Sequence, residues 1–413
     1  LDAPDGRWQV DLDTGRTNDR GLRFMKGNIL KSVTFTRNGT GQLLPQPRKL
    51  LIMAAGANVG NRGSVSTWVR DDATGTWQHT VVLEGSNAEG VRWVTRDMEV
   101  HRDQVTGIER IFLLLGNPGI ISGVYDPSLP GMIRWDHRPE FPTATPFRTR
   151  PLGIVRANGS LLFSVGGSIY KRIDGPKPTY TRILDLGDRT NTDTGGIRGL
   201  TTIANPGGPG ESVLLLWAPV GRSMSRIKRL DPDGRGGYTV HDEASMHELM
   251  SRELGVTIGT TLGAHNMMVP VTHPATGETV HLIGFQGVIR DAPELRSKPG
   301  PYYAGAMFAV RTAAQTYTVH EVNGRWSPGK PPLVCPRTFS PSPFGDGHLY
   351  VGGHDANGQP SDNMAWVFKA PADFALRPPR AGTVYQPRPD PPTDGLVGTN
   401  YTPAYAVNQV RFW

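Results

Sequence analysis

Six basic residues recur along the 413-residue chain in one local setting. Lys31 opens "KSVTFTRNGTG", Arg96 opens "RDMEVHRDQVTG" and Arg150 opens "RPLGIVRANGS". Arg198 opens "RGLTTIANPGGPG", His265 opens "HNMMVPVTHPATG" and Arg337 opens "RTFSPSPFGDG". Successive starts lie 65, 54, 48, 67 and 72 residues apart. Each basic residue is followed by alternating apolar positions and then a Gly-containing turn. Cations held at one level repel one another unless a counter-charge or a water-filled funnel compensates. Such a set suits an anion clamp, above all through arginine, whose planar fork meets a carboxylate with two parallel hydrogen bonds. The structural alternative is that these residues bridge neighbouring elements or bond carbonyls at a rim.

The elements that must position them follow from the repeat. After each turn comes a short apolar run ending at glycine: "KLLIMAAG", "RIFLLLG", "LLFSVGG", "SVLLLWAPVG", "TVHLIGFQG" and "HLYVGG". Runs rich in Leu, Ile and Val read as strands buried on both faces. A third run follows in every copy, such as "SVSTWVRDD", "IISGVYDP" and "NMAWVFKA", and a fourth in most, such as "TWQHTVVLE" and "TYTVHEV". Four short antiparallel strands in each unit of some 50 to 70 residues predict an all-β chain, a single β-propeller domain over residues 1–413. One four-stranded sheet leaves both faces bare, so the units stack around an axis. Six copies are visible. Residues 1–29 and 370–413 remain, enough for a seventh blade built from both chain ends. "GRWQVDLD" resembles a fourth strand, and "YAVNQVRFW" is also strand-like. Seven blades are therefore expected, with six as the alternative, although no seventh basic start appears. "HDEASMHELMSRELG", 241–255, reads as one helical insertion.

In a propeller the first strand is innermost, and its start shares a face with the loop between the second and third strands. Those loops bring Asn58, Asn117, Arg222, Gln286, Tyr302, Tyr303, His354 and Asp355 toward the ring of cations. The loop "GFQGVIRDAPELRSKPGPYY" is long enough to lie over the mouth as a lid. The expected substrate-binding set is Lys31, Arg96, Arg150, Arg198, Arg337, Asn117 and Arg222. A clamped uronic acid can be cleaved by β-elimination. The cation makes the C5 proton acidic, a neutral His or Tyr removes it, and an acid protonates the leaving oxygen. His265, His354, Tyr302 and Tyr303 are the candidates for those proton transfers. His101 is a further one, although its odd offset from Arg96 can turn it into the blade interface.

Composition fits this reading. The formal net charge of +7 favours an acidic partner such as an acidic oligo- or polysaccharide. Lys/Arg runs and interleaved aromatic patches are missing, which argues against nucleic acid. No run of 18 apolar residues occurs, which argues against a membrane-spanning helix. Cys335 is alone, so neither an intrachain disulfide nor a thiolate metal cluster is possible. "DPDGRGG" at 231–237 and "DLDTGR" at 11–16 have the flavour of calcium loops but lack the remaining ligands, and "HELM" lacks the second histidine of a zinc helix. No cofactor is expected beyond a structural calcium. Sequons at Asn38, Asn158 and Asn400, and a start at "LDAPDGRW" without methionine, lean toward a secreted, processed product. A monomer is expected.

The unit "RDMEVHRDQVTGIERIF…GVYDP…GMIRW" and the stretch "RGLTTIANPGGPGE" resemble the β-propeller polysaccharide lyases, most of all the rhamnose–glucuronate lyases. The likeness spreads over residues 31 to 370 and lies in architecture and the cationic pocket. It implies a secreted seven-bladed propeller that removes terminal rhamnose from glucuronate, acting from chain ends. A sialidase-like hydrolase is the nearest rival, since it also clamps a carboxylate with arginines. Its S-x-D-x-G-x-T-W turn is approached only by "RDDATGTW". Acidic residues are scarce at the innermost starts, apart from Asp97 and Glu99, which disfavours a paired-carboxylate glycosidase. A lectin-like propeller is the non-catalytic rival, but unequal loops suit one asymmetric pocket better.

Overall fold

The structure is a computed structural model. It describes residues 9–13, 27–55, 64–70, 74, 77–84, 95–115, 119–142, 151–187, 196–218, 226–245, 258–272, 277, 279–290, 302–311, 316–321, 335–342, 347–354 and 366–371. Among these, six four-stranded antiparallel sheets are formed. Blade 1 holds β2 (Gly27–Arg37), β3 (Leu43–Ala55), β4 (Ser64–Arg70) and β5 (Trp77–Glu84). Blade 2 holds β6 (Thr95–Arg102), β7 (Glu109–Leu115), β8 (Gly119–Tyr125) and β9 (Ile133–Pro142). Blade 3 holds β10 (Pro151–Ala157), β11 (Ser160–Val165), β12 (Ser168–Ile173) and β13 (Thr179–Asp185). Blade 4 holds β14 (Gly196–Ala204), β15 (Glu211–Ala218), β16 (Arg226–Pro232) and β17 (Tyr238–Ser245). Blade 5 holds β18 (Ile258–Thr272), β19 (Thr279–Arg290), β20 (Tyr302–Arg311) and β21 (Thr316–Glu321). Blade 6 holds β22 (Cys335–Pro341), β23 (His348–His354) and β24 (Trp366–Pro371), and its outer strand is β1 (Gln9–Asp13).

The innermost strands touch in the cyclic order β2, β6, β10, β14, β18, β22 and back to β2. This closes a six-bladed β-propeller, so the expected seventh blade is replaced by the six-blade alternative. The N-terminal strand completes the sixth blade by pairing with β24, Val10 opposite Phe368 and Asp13 opposite Trp366. It thereby ties the start of the ring to its end. Residues 372–413, assigned in part to a last blade, lie outside the described residues. The expected helix at 241–255 is overturned over its first five residues, which finish β17 opposite β16; the remainder lies outside the described residues.

Burial follows sequence from the axis outward. The second strands β7 and β15, "ERIFLLL" and "ESVLLLWA", lie between sheets, and Leu113, Leu114, Leu214 and Leu215 are almost wholly buried. A strand covered on both faces needs a near-continuous apolar run rather than alternation. The outermost strand β13, "TYTRILD", has no buried residue. Packing between blades builds the core. One cluster joins Val33, Phe35 and Leu50 of blade 1 to Met98, Ile111 and Leu113 of blade 2 and to Val269 and Leu349 of blades 5 and 6. Turn chemistry fixes the hairpins: Asn158 (φ 49°) and Gly159 (φ 74°) form the two-residue turn between β10 and β11, where both residues must be left-handed.

Candidate functional site

Each innermost strand carries a β-bulge, near its start in five blades and mid-strand in the longer β18 of blade 5. The register breaks between Gly27 and Ile29, Thr95 and Asp97, Pro151 and Ile154, Ile197 and Gly199, His265 and Met268, and Pro336 and Thr338. A bulge leaves an extra residue out of the ladder and re-aims the strand. In blades 2, 4 and 6 that extra residue is Arg96, Arg198 and Arg337 respectively. Three arginines thus alternate around a six-fold ring at one end. The other three positions depart from the expected register. Lys31 lies three residues beyond Asn28, the extra residue of blade 1. His265 is the last paired residue before the break in blade 5, opposite Gly284. Arg150 lies outside the described residues, and the bulge of blade 3 takes Leu152 and Gly153.

The second-strand ends share this face. His354 closes β23 opposite Cys335, two residues from Arg337. Tyr302 and Tyr303 open β20 opposite Ile289 and Val288 of β19, which also holds Gln286. Blade 5 extends furthest here: β18 starts at Ile258, seven residues before His265, a projection of roughly 20 Å at strand rise. The two ends of the expected lid segment are strand, to Arg290 and again from Tyr302, and 291–301 lie outside the described residues. Asn58, Asn117, Arg222 and Asp355 also lie outside them.

Below the bulges a cavity of about 510 Å³ is lined by residues of all six innermost strands. Its wall in blades 1 to 3 is charged. Lys31 Nζ donates to Glu99 Oε2 at 2.9 Å and to the Met98 carbonyl, and lies 3.7 Å from Asp97 Oδ1. Burial alone would lower the Lys31 pKa, but Glu99 and Asp97 outweigh it and hold the ammonium above its ordinary range. Asp97 accepts the Met98 N–H at 2.8 Å and the Ile154 N–H of blade 3 at 3.2 Å. Burial pushes its pKa up to about 6, with Lys31 opposing. Lys31 therefore serves first as a bridge between blades 1 and 2, the structural alternative for a member of the cationic set. The wall in blades 4 to 6 is mostly apolar and hydroxylic, with Leu200, Thr201, Met268, Val269 and Ser340, and Glu211 of β15 is its one carboxylate among the described residues. Behind it, Thr201 Oγ1 meets His281 Nδ1 at 3.0 Å across blades 4 and 5. Burial pushes the His281 pKa down to about 4.

His101 belongs to the blade interface. Only 2% exposed, it holds Asp174 of blade 3 through Nε2 at 2.9 and 3.0 Å. Arg172 sits beside it, bonded to Asp103 at 2.9 Å, to Glu140 at 2.6 Å and to Asp174, with its guanidinium 5.3 Å from the Phe112 ring centroid. Tyr180 donates to Glu140, and burial followed by that carboxylate drives its pKa above the ordinary range. Burial would raise the Asp103 pKa, but N–H groups of Thr106, Gly175 and Val105 together with Arg172 hold it low. These groups satisfy one another across the interface of blades 2 and 3, where the odd offset of His101 from Arg96 can place it, and His101 also lines the cavity. The calcium-like "DPDGRGG" is an ordinary turn as well, with Asp233 Oδ1 accepting the N–H groups of Arg235 at 2.8 Å and Gly237 at 2.9 Å.

Sequence reading missed Arg102 and Arg156, which also line the cavity, toward the end where the first and second strands turn. Arg156 is the sixth residue after the bulge-end start of its repeat, a place no motif marks. Its side chain is 59% exposed, with Nε 3.6 Å from Glu99 Oε1. No protein-family model matches the chain. No curated protein matches it significantly. Among solved structures the chain is similar to the WD40 domain of SCAP from fission yeast, at 7% identity, over 83% of this chain and 74% of that one, with a TM-score of 0.33.

Proposed function

We propose that the chain is a secreted polysaccharide lyase that cleaves a uronic-acid-containing glycan by β-elimination at the bulge-bearing face. The observation that carries this reading is the alternation of Arg96, Arg198 and Arg337 on the bulges of blades 2, 4 and 6. A cation set around an axis suits a carboxylate, and neutralising that carboxylate acidifies the adjacent C–H. His265 or His354 takes the C5 proton. The electron pair of that bond forms the C4–C5 double bond, the C4–O bond breaks, and Tyr302 or Tyr303 protonates the leaving oxygen. The hydrolytic rival has less support, because the three carboxylates that line the cavity are already engaged, Glu211 by the Asn158 N–H at 2.8 Å. Asp97 holds two backbone N–H groups, and Glu99 holds Lys31 and the Val100 N–H at 3.1 Å.

The test is incubation with polygalacturonate, alginate and a gum bearing rhamnosyl-glucuronate ends. Unsaturated-uronate absorbance and new reducing ends are followed together. Both should rise on at least one polymer. Reducing ends without absorbance would mean hydrolysis, and retention of an acidic polymer with neither signal would mean a lectin.

A further inference from the structure

We propose that Arg102 and Arg156 form a second anion site, at the turn-bearing end of the axial cavity, that takes a small sugar acid through its carboxylate. The grounds are the sorting of charge on the cavity wall. Lys31 is held by Glu99 and Asp97, and Asp97 by two backbone N–H groups. Glu211 accepts the Asn158 N–H at 2.8 Å. Arg102 and Arg156 differ: among the described residues neither guanidinium makes a hydrogen bond, and Arg156 has only its loose approach to Glu99. Two forks open to one cavity are the expected receptor for a carboxylate, which each can grip with two N–H groups.

Position separates this site from the bulge face. Arg102 ends β6 opposite Glu109, directly before the first turn of blade 2. Arg156 stands two residues before the Asn158–Gly159 turn of blade 3. The bulges lie at the other end of the same strands. Gln104 and Thr202 add hydrogen-bonding groups to this part of the lining, and Val269, Pro270 and Pro341 add apolar surface from blades 5 and 6. A carboxylate joined to a hydroxylated ring with one apolar face matches all three features. The inference does not depend on the lyase reading, since it concerns binding at the opposite mouth.

The probe is D-glucuronate, titrated calorimetrically into the full chain, with D-glucose and inorganic phosphate as comparisons. Glucuronate should bind more tightly than either. Arg102→Ala and Arg156→Ala should each weaken it about tenfold or more, the usual effect of losing a charged hydrogen-bond partner. Arg156→Lys, which keeps charge but not the fork, should weaken it too. Arg134→Ala, on an exposed outer strand, should leave it unchanged. Both key side chains are solvent-accessible, so the variants should fold, and circular dichroism checks this. The proposal is overturned if glucuronate fails to bind, if glucose or phosphate binds as well, or if the Arg102 and Arg156 variants all keep wild-type affinity.

Discussion

Two buried groups on the axial side of the propeller should respond to acid in opposite directions, and mutation should unmask each. His281 has an ordinary pKa of 6.5, pushed down to about 4 by burial. The unfolded chain takes up that proton first as pH falls, so stability is present above 6.5 and is lost on the way to 4. At 1.36 kcal/mol per pH unit the loss is about 3 kcal/mol. Asp97 is reversed, with its ordinary value of 3.8 raised to about 6 by burial. Here the folded chain protonates first, so stability rises as pH falls from 6 toward 3.8, again by about 3 kcal/mol. The two nearly cancel in the wild type. Asp97→Asn removes the gain and should lose about 3 kcal/mol more than wild type between pH 6.5 and 4. His281→Gln removes the loss and should gain by a similar amount relative to wild type. Urea unfolding at a series of pH values reads both differences, because carboxylates elsewhere are common to all three proteins. Profiles parallel to the wild type in both variants would mean that neither group is shifted by burial.

Other consequences are more local. Arg172→Met strips the cation from Asp103, Glu140 and Asp174 between blades 2 and 3, and should cost roughly 3–5 kcal/mol in urea unfolding. Adding Glu140→Gln should recover part of that loss. Gly123→Ala would place Cβ 2.8 Å from Ile133 Cγ2 and 3.0 Å from Trp135 Cε3, and this overpacking should cost about 1–3 kcal/mol by the same measurement. If His265 or His354 is the base, alanine variants of the two should differ sharply in turnover, one of them falling by about 10²–10⁴ with its fold intact.

The strands, their order within each blade and the inward burial of the second strands were legible because apolar runs and turns recur. Blade number was not, because the chain ends showed spare length without showing what pairs. The useful sign was there: the sixth repeat lacks a fourth strand, and "GRWQVDLD" looks like one. Bulges explain the partial success with the cations. An extra residue leaves no mark in the apolar pattern, so aligning on the basic residue placed Arg96, Arg198 and Arg337 together but shifted Lys31 by three positions and His265 by one. The Lys31–Glu99 and His101–Asp174 pairs join residues far apart in sequence across blade boundaries, which strand periodicity does not report.

The proposed role of the bulge arginines is to clamp a uronate carboxylate during elimination. It is tested most directly by measuring kcat/KM, from unsaturated-uronate absorbance, for the wild type and for Arg96→Ala, Arg198→Ala and Arg337→Ala. A charged hydrogen bond worth roughly 1.5–3 kcal/mol predicts a loss of about tenfold to a hundredfold for each, at unchanged melting temperature. Near wild-type turnover in all three variants would rule out that clamp.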